Sequence, residues 1–169
     1  MPSVVIGQSV KNQPHYVTFT VKNWYYLFDR YNRFSILEDS FYYCQKHKQL
    51  KIFAYVFMLN HVHFIGSASD LSAVIRDMKT FLSKELQRNI IATEPSLCKL
   101  FTDDQGKFSL WQPTNYPKII TEDNFLLQKI NYIHMNPVRK MYVHSPEDWA
   151  WSSACRISGK IKITGLDDF

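Results

Sequence analysis

Cysteine is scarce in this sequence. Cys44, Cys98 and Cys155 are odd in number, far apart and without a CxxC spacing, which argues against a disulfide framework and against a cysteine-based zinc site. The helical zinc-hydrolase signature HExxH is missing too. No stretch approaches the roughly 18 apolar residues that a membrane span requires. The start, MPSVVIGQSVKNQPHY, has no basic segment leading into a long apolar run, so a signal peptide is not expected. A cytoplasmic protein without membrane contact fits these absences. Internal repeats and low-complexity segments are also lacking.

What is present fits one globular domain spanning 1–169, with a core of about 15–140 and a C-terminal extension of about 141–169. Hydrophobic residues make up 46% of the chain, enough to bury a core at this length. The net charge of +5 leans mildly toward polyanions, a lean that many enzymes share. Aromatic content is high at 15%. Most of these rings belong in a core, but any exposed ones can stack on unpaired bases.

Hydrophobic periodicity places the elements. HYVTFTVK (15–22) alternates and is rich in β-branched residues, which predicts a strand. Phe34, Leu37, Phe41 and Cys44 recur at helical spacing within 30–48. KIFAYVFM (51–58) and HVHFIGSA (61–68), separated by Leu59-Asn60, predict a strand hairpin. From Asp70, a plausible N-cap, an apolar stripe through Leu71, Val74, Ile75, Met78, Leu82 and Leu86 predicts a second helix. Residues 92–108 are polar and contain Pro95 and Gly106, so they are expected to form a tolerant loop. FSLWQPTNYPKII (108–120) is expected to form an edge strand broken by Pro113 and Pro117. Thr121 should open another helix, ending at Pro137 because the residue before a proline disfavours helical angles. A short last helix is expected in SPEDWAWSSACRIS, with Ser145 as cap. The order β-α-β-β-α-β-α argues for an α+β fold, with helices on one face of a mainly antiparallel, ferredoxin-like sheet.

Two constellations carry chemistry. In His61-Val62-His63, side chains at i and i+2 leave one strand face about 6.6 Å apart, at ~3.3 Å per residue, close enough to converge on one metal ion. A lone HxH is more often structural than ligating, but here apolar strand flanks it on both sides. In NYIHMNPVR (131–139), Tyr132 and Asn136 are four apart and share a helical face that extends back to Gln128. His134 lies about 200° around the helix from Tyr132, so it is expected to pack or hydrogen-bond elsewhere.

Together these segments resemble a known pattern. FMLNHVHFIG is similar to the "MPNHVH" signature of single-tyrosine transposases of the HUH endonuclease superfamily. YIHMNPVR resembles their tyrosine-bearing helix. LWQPTNYP and DWAWSSACRISG also look like REP-associated tyrosine transposases and their insertion-sequence relatives. The resemblance runs from about residue 15 to 160. It departs at Leu59, where the family usually has proline, and that position shapes a turn.

The resemblance implies that His61 and His63 ligate a divalent metal, Mg²⁺ or Mn²⁺, with Asn136 at the position of a third ligand. Tyr132 would be the nucleophile, giving a 5′-phosphotyrosine and a free 3′ hydroxyl. The expected partner is single-stranded DNA flanked by a hairpin, bound by a monomer or a homodimer at the nucleoid. Candidate DNA contacts are Arg139 and Lys140 beyond the helix, then Lys79, Lys84 and Arg88 on a solvated helix face, with Trp111 as a stacking ring. No general base stands out. The rivals are a regulatory hairpin-binding protein of the same fold, a zinc hydrolase using the same histidines, and an RNA-binding module.

Overall fold

The computed structural model describes residues 11–113, 117–155 and 159–168. Strand β1 (His15–Thr20) is followed by α1 (Arg33–His47), then the hairpin β2 (Lys51–Phe57) and β3 (His61–Ser67). Next come α2 (Leu71–Thr93), a short α3 (Cys98–Phe101), a two-residue β4 (Lys118–Ile119) and α4 (Asp123–Arg139). The sheet order is β2-β3-β1-β4, and every pairing is antiparallel. This is the expected α+β, ferredoxin-like sheet. Among the described residues, no helix is long and apolar enough to cross a membrane.

The alternation of β1 and β3 sorts their residues between two faces. Val17, Phe19, Val62 and Phe64 point toward α1 and α2 and join a large core with Leu37, Phe41, Ile75, Met78, Leu82 and Leu86. The other face carries Ala54, Val56 and Ile65 and packs against Leu126 and Ile133 of α4. The expectation that all helices share one face is therefore corrected. The cause is a second apolar stripe on the sheet, which needs its own cover and receives α4.

Four other expectations change. Residues 92–108 are not simply loop: α2 runs on to Thr93, and Phe101 is fully buried against Tyr25 and Phe108. A turn over Asp103–Lys107, with Gly106 at φ +79°, returns the chain so that Thr102 bridges Phe108. The edge strand of 108–120 shrinks to Lys118–Ile119 plus a bridge between Trp111 and Val21; its Thr114–Tyr116 portion lies outside the described residues. Pro137 does not end its helix, which continues to Arg139. A proline costs the helix its own N–H, but Lys140 still bonds the Asn136 carbonyl at 3.1 Å and closes the last turn. The last helix is only a 3-10 turn, Pro146–Asp148, with no side-chain cap from Ser145.

After that turn the chain runs along the free edge of β2. Ser152 bridges Val56, while Phe57 N–H bonds the Trp151 carbonyl at 2.8 Å. Trp151 stacks on Phe34 with centroids 5.0 Å apart. Covering an edge strand satisfies backbone groups that would otherwise template aggregation. Arg156–Ser158, at the end of the expected helix, lie outside the described residues.

Arg33 ties α1 to α2 from a fully buried position. Its guanidinium reaches Glu94 (2.7 Å), the Asn89 amide oxygen (2.8 Å), the Thr93 hydroxyl (3.1 Å) and the Leu27 carbonyl (3.1 Å). Arg33→Met keeps the length but takes the donor from Asn89, Thr93 and the Leu27 carbonyl and leaves Glu94 to Arg30 alone. We expect a loss of about 2–4 kcal/mol, read as a lower urea midpoint at unchanged slope.

Candidate nucleic-acid site

The histidines lie on the α4 face of the sheet because β1 pairs with β3 in one register, Thr18 opposite His63 and Thr20 opposite His61. Their ring centroids are 4.7 Å apart. Tyr16, Thr18 and Thr20 share this face, and α4 crosses it, bringing Lys129, Tyr132 and Asn136 over the pair. Together with Trp24, Pro117, Lys118 and Lys140 they enclose an open groove of about 840 Å³. The Tyr132 ring stands 5.8 Å from His63 and 6.3 Å from Tyr16, with 39% of the residue exposed. The tyrosine and the histidines of this chain thus lie side by side.

The hydrogen bonds fix the rings. Asn60 donates its amide N–H to the Trp24 carbonyl at 2.8 Å, so its oxygen faces His61 Nδ1 at 2.7 Å. An amide oxygen only accepts, so Nδ1 of His61 carries the proton and Nε2 keeps its lone pair. His63 Nδ1 is engaged by both the Tyr16 and Thr18 hydroxyls at 2.8 Å. Both Nδ1 atoms are therefore occupied by protein oxygens. That leaves the Nε2 atoms for a cation, the arrangement that fixes ligating imidazoles in metal sites.

Asn136 is buried beside His61 in the groove, and its amide N–H donates to the Tyr132 carbonyl at 3.0 Å. Two neutral imidazoles and an amide suit a hard or borderline divalent ion whose remaining positions go to phosphate oxygens and water. Among the described residues, no group of three or more His, Cys, Asp and Glu gathers.

Cations frame the nucleophile candidate. Lys129 Nζ lies 5.5 Å from the Tyr132 ring and 4.8 Å from that of Tyr16, and the Arg139 guanidinium lies 4.7 Å from the Tyr132 ring. Lys140 is exposed at the groove rim. Lys140 follows α4, whereas Arg139 is the last residue of that helix rather than beyond it, and of the two only Lys140 lines the groove. Lys79 and Trp111 do not line it. Lys79 is 3% exposed beneath α2, its Nζ 5.0 Å from the Phe19 ring, and Trp111 is 3% exposed, its indole N–H bonded to the Lys79 carbonyl. Both lie in the core on the far side of the sheet, because Lys79 follows Met78 on the apolar stripe and its stem packs there. Lys84 and Arg88 are exposed on that same far helix, and Arg88 pairs with Glu85. Neither lines the groove. Gln128 is exposed outside the groove too, and His134 bonds the Ser153 hydroxyl at 2.8 Å, as expected of a structural residue.

Sequence reasoning missed Tyr16, Thr18, Asn60 and Trp24, and gave Lys129, close to Tyr132 in the chain, no role. The polar alternation Tyr16-Thr18-Thr20 was a visible signal, but it becomes informative only once the strand register is known. Trp24 had none. It sits in a 3-10 turn with φ +54°, beside Asn23 at φ +59°, a left-handed conformation that costs a bulky residue about 1–3 kcal/mol.

No family model matches the chain. A curated Haemophilus influenzae protein named "Putative REP-associated tyrosine transposase" is 24% identical over 111 residues, 64% of this chain. The match spans 61% of that relative's length, under two thirds of it. A solved structure of a REP-associated tyrosine transposase bound to a REP hairpin aligns over 95% of this chain and 90% of its own, with a TM-score of 0.67 and 18% identity. The chain is therefore similar to REP-associated tyrosine transposases in sequence and shares their fold, as the four motifs implied.

Burial depresses both histidines from the ordinary 6.5. His61 falls to about 4, through burial and then the Lys140 charge, against the Asn136 hydrogen bond; His63 falls to about 3, through burial, then His61 and Lys129. Both are neutral near pH 7, ready to ligate. Between about 6.5 and those values the unfolded chain binds more protons than the folded one, so stability falls as pH falls through that window. The melting temperature of the metal-free protein should drop between about pH 7 and about pH 5, and less steeply in His63→Gln. An equal drop in both proteins would contradict the buried neutral ring.

Proposed function

We propose that this chain nicks and rejoins single-stranded, hairpin-flanked DNA as a tyrosine transposase of the REP-associated type. The observation that carries the reading is the convergence, within one chain and one groove, of His61, His63 and Asn136 with Tyr132. Its likeness to a hairpin-bound transposase supports a DNA hairpin as partner.

His61, His63 and Asn136 would hold Mg²⁺ or Mn²⁺, which when bound would withdraw charge from the scissile phosphate. The protein's own groups supply the rest. Tyr16 and Thr18 fix the His63 ring, and burial keeps the Tyr16 phenol protonated well above its ordinary value, so it serves as a hydrogen-bonding group. Asn60 fixes His61. Lys129, Lys140 and Arg139 offer positive charge to the strand's phosphates. Tyr132 attacks phosphorus: the phenolic O–P bond forms, the P–O3′ bond breaks, the phenol loses its proton to solvent and the 3′ oxygen takes one up. One phosphodiester replaces another, so bond energy is conserved and the 3′ hydroxyl can reverse the step without ATP. A flexible single strand can enter this groove between helix and sheet, whereas a duplex must first be opened. A catalytically idle hairpin-binding regulator of the same fold is the alternative, and no observation in the site favours it.

Incubated with hairpin-flanked single strands and Mn²⁺, wild type should give a protein–DNA adduct stable to denaturant. Tyr132→Phe should give none while still shifting the DNA in a gel. No adduct from wild type across a library of flanking sequences would sink the enzyme reading. Separately, Lys140→Ala should lower the slope of log affinity against log salt by roughly 0.7, the value for one lost phosphate contact to a single strand. Lys84→Ala on the far helix should leave that slope unchanged.

A further inference from the structure

We propose that Trp24 is the stacking platform for a base adjacent to the scissile phosphate, and that the strand continues past it into a second groove. This rests on the reading of the site as a single-strand DNA site and adds a residue and a path to it.

Four observations meet at Trp24. It is the most exposed tryptophan among the described residues, at 57%. Its ring stands edge-on to His61 with centroids 5.7 Å apart, so a base lying on the indole sits next to the metal-ligand candidates. Its backbone is held in the left-handed region at φ +54° with the carbonyl clamped by Asn60, the same side chain that fixes His61. A strained, fixed backbone that holds a large ring in solvent beside His61 is the kind of feature that ligand sites retain, which points to a bound partner. Finally, Trp24 and Lys140 line both the catalytic groove and an adjoining open groove of about 830 Å³, making them the seam between the two.

The chemistry of the second groove selects the occupant. Tyr26, half-exposed, faces it with its hydroxyl 3.4 Å from that of Tyr142, offering a second ring to a base. Asp29 is the acid of this groove and is neutralised by Arg30 at 2.8 Å, which leaves Lys140 at the seam to meet phosphate. Aromatic rings spaced along a groove with a cation at the backbone's height are how sequence-tolerant sites hold unpaired strands. A folded duplex offers no free base face to such rings.

The test uses the full chain, (dT)20 as probe and EDTA in the buffer, so that binding is read without metal or covalent chemistry. Wild-type tryptophan fluorescence should be quenched on saturation with (dT)20. Trp24→Phe should bind within about threefold of wild type, since a phenyl ring still stacks, but lose most of the quench. Trp24→Gly should bind roughly 5- to 100-fold more weakly, the loss expected from removing one stacking platform. Its melting temperature should be equal to or above wild type, because glycine relaxes the left-handed turn. Unchanged affinity in Trp24→Gly, a quench that persists in Trp24→Phe, or no binding of (dT)20 by wild type would each overturn the proposal. No binding of (dT)20 by wild type would count against the single-strand reading as well, whereas the other two outcomes leave adduct formation by Tyr132 untouched, so the two readings fail separately.

Discussion

The pairing of β1 with β3 is the constraint on which the rest of the structure depends. In the observed register Thr18 faces His63 and Thr20 faces His61, and the intervening Val17, Phe19, Val62 and Phe64 fill the core beneath. Strand side chains alternate, so a slip of one residue would turn the imidazoles into the core of α1 and α2 and put Val62 and Phe64 into the groove. The burial of those four apolar residues thus aims the two histidines. Stability and site geometry are set by the same contacts.

The second face of the sheet is shared between packing and chemistry. At the β2 side, α4 covers Ala54, Val56 and Ile65 with Leu126 and Ile133. At the β1 side, its Lys129, Tyr132 and Asn136 hang over the histidines without closing the space. One helix therefore has two jobs one turn apart, and its apolar anchors hold the tyrosine in reach of the metal-ligand candidates. Ile133, next to Tyr132 and buried, is the clearest anchor. The C-terminal segment supports this from outside: His134 bonds Ser153, and the Trp149 indole N–H bonds the Phe57 carbonyl at 2.9 Å.

Much of this was legible in the chain. Strands and helices with strong periodicity were readable within a few residues of their ends, as were the pairing of His61 with His63 and of Tyr132 with Asn136 on common faces. Where the reading failed, a tertiary effect outweighed a local one. Pro137 stays helical because only one hydrogen bond is lost and the next turn closes around it. Residues 145–155 became edge cover rather than helix because β2 had unpaired backbone to satisfy. Lys79 carries a charge, which argued for solvent, yet its stem belongs to the apolar stripe of α2 and is buried with it.

By itself the sequence determined the α+β order and which of the candidate site residues share a face, since these follow from periods of 2 and 3.6 within single elements. It could not determine which face of the sheet each helix would cover, which polar side chains would support the histidines, or that Trp24 would be held beside them. Those depend on register and on contacts between residues far apart in the chain. Tyr16 and Thr18 reach His63 across 47 and 45 residues, and Asn60 reaches the Trp24 carbonyl across 36. No local pattern encodes such a meeting; only the balance of burial over the whole fold decides it.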